Sequence, residues 1–105
     1  MAILAIVVGP EIKKDHYEML RKEVRWEQHQ PEGLIFHAAA FDASGGLHVA
    51  DVWTSVEAMD QYFDTSLLPA LIKLKLALPA REIYPLHAAM TGDGVEQFKP
   101  KLLVH

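Results

Sequence analysis

Cysteine is absent from the 105 residues of the chain. Disulfides, thiolate metal sites and cysteine nucleophiles are therefore excluded, and a cytoplasmic location is the simplest expectation. Positive charge is scarce: 10 Lys and Arg stand against 14 Asp and Glu, a net charge of −4. No basic cluster is present to neutralise a phosphate backbone, so a nucleic-acid partner is not expected. Long apolar runs are missing too. Residues 2–8 form the longest, far short of the roughly 20 residues of a spanning helix. That run lacks the basic flank and small-residue cleavage pattern of a signal peptide, so no membrane partner is expected. Internal repeats and low-complexity stretches do not occur. What the chain does have is apolar residues, 50% of the total against 23% charged. That is the composition of a folded domain rather than a disordered segment, and the length suits one domain with one core.

Apolar runs and turn signals divide the chain. Residues 2–8, AILAIVV, end at Gly9-Pro10 and read as a buried strand. Residues 11–25 place Ile12, Tyr17, Leu20 and Val24 at a helical period, with His16 on the same stripe and a poorly capped start. Gln30-Pro31-Glu32-Gly33 is a turn. Residues 34–41 and 47–53 read as strands joined by a hairpin loop, in which glycine supplies a left-handed position. Thr54 or Ser55 caps a helix carrying Met59, Tyr62 and Phe63, and Asp64-Thr65-Ser66 marks a break before a further turn capped by Ser66. Residues 72–78 alternate like a strand but are good helix formers, and helix is expected to about residue 76. Residues 81–89 are the last strand, demoted to an edge by Pro85. The order β-α-β-β-α-β is that of an α+β, ferredoxin-like fold with a four-stranded antiparallel sheet, over residues 1–90. Right-handed crossovers put the first and third strands in the middle. Residues 91–105 form a tail with apolar Val95, Phe98, Leu102, Leu103 and Val104.

The strands are apolar on both faces. Ile3 through Val8 are apolar in both parities, and residues 34–41 put Leu34, Phe36 and Ala38 on one side and Ile35, Ala39 and Phe41 on the other. A sheet with one wet face alternates instead. Two helices cover only one face, so the other needs a cover, and a second copy in a twofold contact is the simplest. A homodimer follows as the expected partner, with the tail reaching the neighbour.

The segments Gly33-Leu34-Ile35-Phe36-His37, Asp51-Val52-Trp53-Thr54-Ser55-Val56-Glu57-Ala58 and Ile83-Tyr84-Pro85-Leu86-His87 resemble the dimeric α/β-barrel superfamily, which includes antibiotic-biosynthesis-type monooxygenases. The W-x-S-x-E-A turn is the most recognisable part, and the similarity spans about residues 1–90. Many members carry a histidine five residues after the glutamate of that turn. Tyr62 stands there in this chain, so no acid–base or haem role comes to it from that position. The resemblance implies a cofactor-free enzyme acting on a small aromatic molecule, in which a base forms a carbanion that meets dioxygen. The alternative is a non-catalytic barrel that binds a small ligand or serves as a stress-related accessory protein.

Candidate site residues follow from the hairpin register. A three-residue loop Ala43-Ser44-Gly45 pairs Asp42 with Gly46, which sets Ala39 opposite Val49, His37 opposite Asp51 and Ile35 opposite Trp53 on one face. The resemblance turns that face toward the helices, so that His37, Asp51 and Trp53 line a pocket with Tyr62 or Phe63 above. A carboxylate beside an imidazole holds one tautomer, the arrangement of a general base and its orienter, here His37 and Asp51. A structural ion pair in a core would look the same from sequence. Trp53, Tyr62 and Phe63, with Trp26, could stack on a flat ligand, and His87 on the last strand could share the cavity. His48 and Asp51 are three apart on a strand and point to opposite faces, so they cannot chelate one ion. No other ligand spacing suggests a metal, and no glycine-rich phosphate loop or nucleophile elbow is present.

Overall fold

The structure is a computed structural model and describes residues 1–98. Strand β1 (Ile3–Gly9) leads into helix α1 (Lys14–Val24), and strands β2 (Leu34–Phe41) and β3 (Leu47–Trp53) form the hairpin. Helix α2 (Val56–Tyr62) continues through a π turn (Phe63–Leu67) into helix α3 (Leu68–Lys73), and strand β4 (Ala80–Pro85) closes the unit. The sheet order is β2-β3-β1-β4 with every pairing antiparallel, so the first and third strands are central. This is the ferredoxin-like α+β fold that the element order implied. A short 3₁₀ turn, Asp93–Phe98, follows. Leu102, Leu103 and Val104 of the expected tail lie outside the described residues. Among the described residues no helix is long and apolar enough to cross a membrane.

The core fills the layer between the helices and one sheet face. Ile12, Leu20, Leu47, Val49, Ala70 and Leu71 form one buried cluster, and Ile3, Ala5, Trp53 and Met59 the other. Their strand members, Ile3 and Ala5 of β1 and Leu47, Val49 and Trp53 of β3, are all odd-numbered, as the two-residue period of a strand requires. Leu4, Ile6, Val8, Phe36 and Ala50 belong to neither cluster and occupy the opposite face. By register His48, Glu82 and Tyr84 share that face, with Glu82 its one acidic side chain among the paired strand residues.

The helix ends differ from the expectations for physical reasons. Ser55, not Thr54, caps α2: its Oγ accepts the Ala58 N–H at 3.0 Å. Ser66 caps nothing, because the chain does not break there. Pro69 sits in the first turn of α3 and cannot donate a backbone hydrogen bond. The helical run accommodates it by widening, so that the Leu68 N–H reaches the Phe63 carbonyl five residues back. Helix α3 then stops at Lys73, short of residue 76, because Lys75 turns left-handed at φ 58°. The last strand ends at Pro85 rather than 89, and the Leu86 N–H goes to the Ala2 carbonyl at 2.9 Å.

Candidate functional site

Three elements hold the candidate side chains. The hairpin loop closes as expected: the Asp42 N–H donates to the Gly46 carbonyl at 2.9 Å, and Gly45 has φ 88°. Asp42 accepts from the Ser44 hydroxyl, His48 Nε2 and the Gly46 N–H at 2.7, 2.8 and 3.0 Å. Those bonds, led by the Ser44 hydroxyl, hold its carboxyl well below the usual carboxylate range. The register from this loop sets His37 opposite Asp51 and Ala39 opposite Val49. It then slips by one residue between Leu34 and Phe36, so Leu34 rather than Ile35 faces Trp53. Ile35 is the extra residue of that irregularity and is 54% exposed.

His37 and Asp51 meet on the helix-facing side of the sheet. His37 Nδ1 lies 2.5 Å from Asp51 Oδ1. Trp53 Nε1 donates to the other carboxylate oxygen at 3.4 Å. The side chains of the pair are only 18% and 14% exposed. The second ring nitrogen, His37 Nε2, lies 2.7 Å from the Tyr17 hydroxyl. A continuous chain Trp53–Asp51–His37–Tyr17 therefore runs from β3 across β2 to α1. Because Asp51 is acceptor-only, it fixes the proton on Nδ1 and leaves Nε2 to accept from Tyr17.

This chain borders a cavity of about 110 Å³ between sheet and helices. His37, Asp51, Trp53, Tyr62 and Phe63 all line it, together with Trp26. The Trp26 ring lies over the imidazole at 4.8 Å, tilted by 51°, and the Trp53 and Tyr62 rings are 5.8 Å apart. Burial, then the charge of Asp51, pushes the Tyr62 phenol up to about 12, and burial likewise raises Tyr17. Both phenols are therefore neutral at ordinary pH. Arg21 and Arg81 stand at the rim, the first paired with Glu18 and Glu27, the second with Asp60 and stacked 4.8 Å over the Phe63 ring.

His87 is not brought to the site. It lies beyond the end of β4, is exposed and does not line the cavity, because Pro85 ends the pairing that would have carried it inward. Tyr17 is the residue that sequence reasoning missed. Its place on the apolar stripe of α1 was visible, but its role needed the sheet register and the helix position together. Trp26 reaches the cavity because Arg25 is left-handed at φ 57°, which sends the Trp26 N–H back to the Arg21 carbonyl at 3.1 Å. Among the described residues no three His, Cys, Asp or Glu side chains converge so as to hold a metal ion.

No family model matches the chain, and no curated protein matches it either. Solved structures do. A protein of unknown function from Nitrosomonas europaea superposes with a TM-score of 0.65 at 19% identity, over 90% of this chain and 98% of that one. A candidate antibiotic biosynthesis monooxygenase from Chloroflexus aurantiacus gives 0.60 at 14% identity, over 88% and 100%. SnoaB, a cofactor-independent oxygenase from Streptomyces nogalater, gives 0.60 at 12% identity, over 87% and 97%. At such identities the likeness establishes a common fold, and chemistry has to be argued from the site.

Proposed function

We propose, for a chain with the fold of the antibiotic-biosynthesis-monooxygenase-like proteins, that the cavity binds a small aromatic molecule and that His37 acts there as a general base oriented by Asp51. The observation that carries this is a hydrogen-bonded His–Asp pair in the wall of an otherwise apolar, aromatic-lined space. Removing a proton from an acidic ring substrate leaves a carbanion able to react with dioxygen without a cofactor. Trp53, Tyr62 and Phe63 form the ring walls, and the aromatic surroundings exclude water from the anion. A twin copy covers the outer sheet face, and the described residues beyond β4 add to that contact.

One observation favours the alternative, a barrel that binds without turnover: both nitrogens of His37 already have partners within the chain. The two are separated by oxygen uptake with one-ring quinols as substrates. A general base contributes typically about 10²–10⁴-fold, so His37→Ala is expected to lower turnover by at least about 100-fold while the circular dichroism spectrum persists. Turnover unchanged in that variant removes His37 as the base.

A further inference from the structure

The occupied imidazole poses a geometric problem for any ligand. Nδ1 faces Asp51, Nε2 faces Tyr17, and Trp26 covers the ring at 4.8 Å. No ring nitrogen is open to the cavity. Tyr17 is also held in place. It sits mid-way along α1, its ring meets Phe41 edge-on at 5.9 Å, and the Arg21 guanidinium lies 6.0 Å from its centroid. Its ring plane is within 1° of the imidazole plane. Swinging Tyr17 aside would break these contacts together. Its oxygen, however, uses only its proton on His37, and a hydroxyl oxygen keeps lone pairs for another donor.

We infer that Tyr17 is the group that meets the ligand, and that the cavity is built for a neutral one-ring hydroxyarene whose O–H donates to the Tyr17 oxygen. The inference rests on the cavity being a ligand site, as proposed above. Size sets the ring count: a cavity of about 150 Å³ holds benzene, and this one, at about 110 Å³, encloses at most a single ring, with any further part of the ligand outside it. Polarity sets the functional group. Among the described residues that line the cavity a carboxylate would meet no free Lys or Arg, since Arg21 and Arg81 are both paired with acidic residues, whereas a hydroxyl finds an acceptor at Tyr17.

The same contact gives a proton path. The ligand O–H proton passes to the Tyr17 oxygen as the Tyr17 proton passes to His37 Nε2. One O–H bond breaks on the ligand, one forms on Tyr17, the old Tyr17 O–H bond breaks and an N–H bond forms. Tyr17 ends as it began, a neutral phenol, now donating to the ligand oxyanion. The imidazolium lies between it and the Asp51 carboxylate, and no electrons change hands. Burial supports this role, because a raised Tyr17 disfavours a standing phenolate.

The test uses 4-nitrophenol, which absorbs differently as acid and as anion, and 4-nitroanisole, which has no proton to give. The full chain is titrated with each at a fixed pH where free 4-nitrophenol is mostly neutral. The expected result is binding of 4-nitrophenol about tenfold tighter than 4-nitroanisole, the worth of one added hydrogen bond, with the anion spectrum appearing on binding. Tyr17→Phe should lose both the preference and the anion signal. His37→Gln should lose the signal while keeping the preference. A Tyr17→Phe protein that still ionises the probe, with His37→Gln unable to, overturns the relay and leaves His37 as a direct base. Ionisation retained in both variants removes His37 as well. Should Tyr17→Phe fail to fold, wild-type protein decides. A preference for 4-nitrophenol with a shift of the Tyr17 ring resonances by that probe alone supports the relay. Equal binding of the two probes, or no binding of either, overturns it.

Discussion

At the scale of single residues, ionisation separates the tyrosines from the ordinary surface. The chain has three, and all three are raised. Tyr17 and Tyr62 are raised chiefly by burial, Tyr84 by its hydrogen bond to Glu82. Raised folded values mean that the native state holds these protons more tightly than the unfolded chain, whose tyrosines titrate near about 10. The stabilisation is complete below about 10 and is lost as pH climbs toward about 12, the value of Tyr62. Ultraviolet titration should therefore show delayed tyrosine ionisation, and Tyr62→Phe should remove the latest third of the signal. A full-sized transition at the ordinary tyrosine value would contradict the buried placement of Tyr62.

Elements show what could be read from sequence and what could not. The strand order and the His37–Asp51 pairing were legible because a tight hairpin fixes register over several residues. The slip at Ile35 was not, since an extra residue in a strand leaves no periodic trace once both faces are apolar. The end of α3 was misjudged for a related reason: Lys75 takes a left-handed position where a sequence reader looks for glycine, so nothing in its chemistry announces a stop. Tyr17 was invisible as a site residue because one helical stripe serves core and cavity alike. Gly33 was legible only as part of a turn, yet it fixes the junction between β2 and α2. Its φ is 87°, its carbonyl accepts the Thr54 N–H at 2.8 Å, and a Cβ there would lie 2.6 Å from that of Ala58. A side chain adds backbone strain and a clash together, so Gly33→Ala is expected to cost about 2–3 kcal/mol in urea unfolding. A cost below about 0.5 kcal/mol, the range of ordinary surface changes, would mean that the junction yields freely.

For the whole molecule the open question is the outer sheet face. Four strands of six to eight residues, about 4.8 Å apart and at about 3.3 Å per residue, present a face of roughly 19 by 23 Å. That is about 440 Å² in projection, within the roughly 300–600 Å² of the largest apolar patch on a typical monomer and short of the roughly 800 Å² per partner of a standard interface. The proposed dimer therefore needs more than the sheet, and the chain beyond β4 is placed to supply it. Met90 and Phe98 are 95% and 79% exposed among the described residues. Ala50 lies at the centre of the face, paired with Ile6 on one side and Ala38 on the other. Sedimentation equilibrium at micromolar concentration should return twice the chain mass for the full chain. Ala50→Arg places a bulky charged side chain at the centre of the contact and should return a monomer that keeps its helical spectrum. A chain ending at residue 90 should dimerise more weakly, because it retains the sheet face and loses the reach. A full chain that sediments as a monomer would mean that this apolar layer is tolerated bare. Dimer stability unaffected by the truncation would confine the contact to the strands.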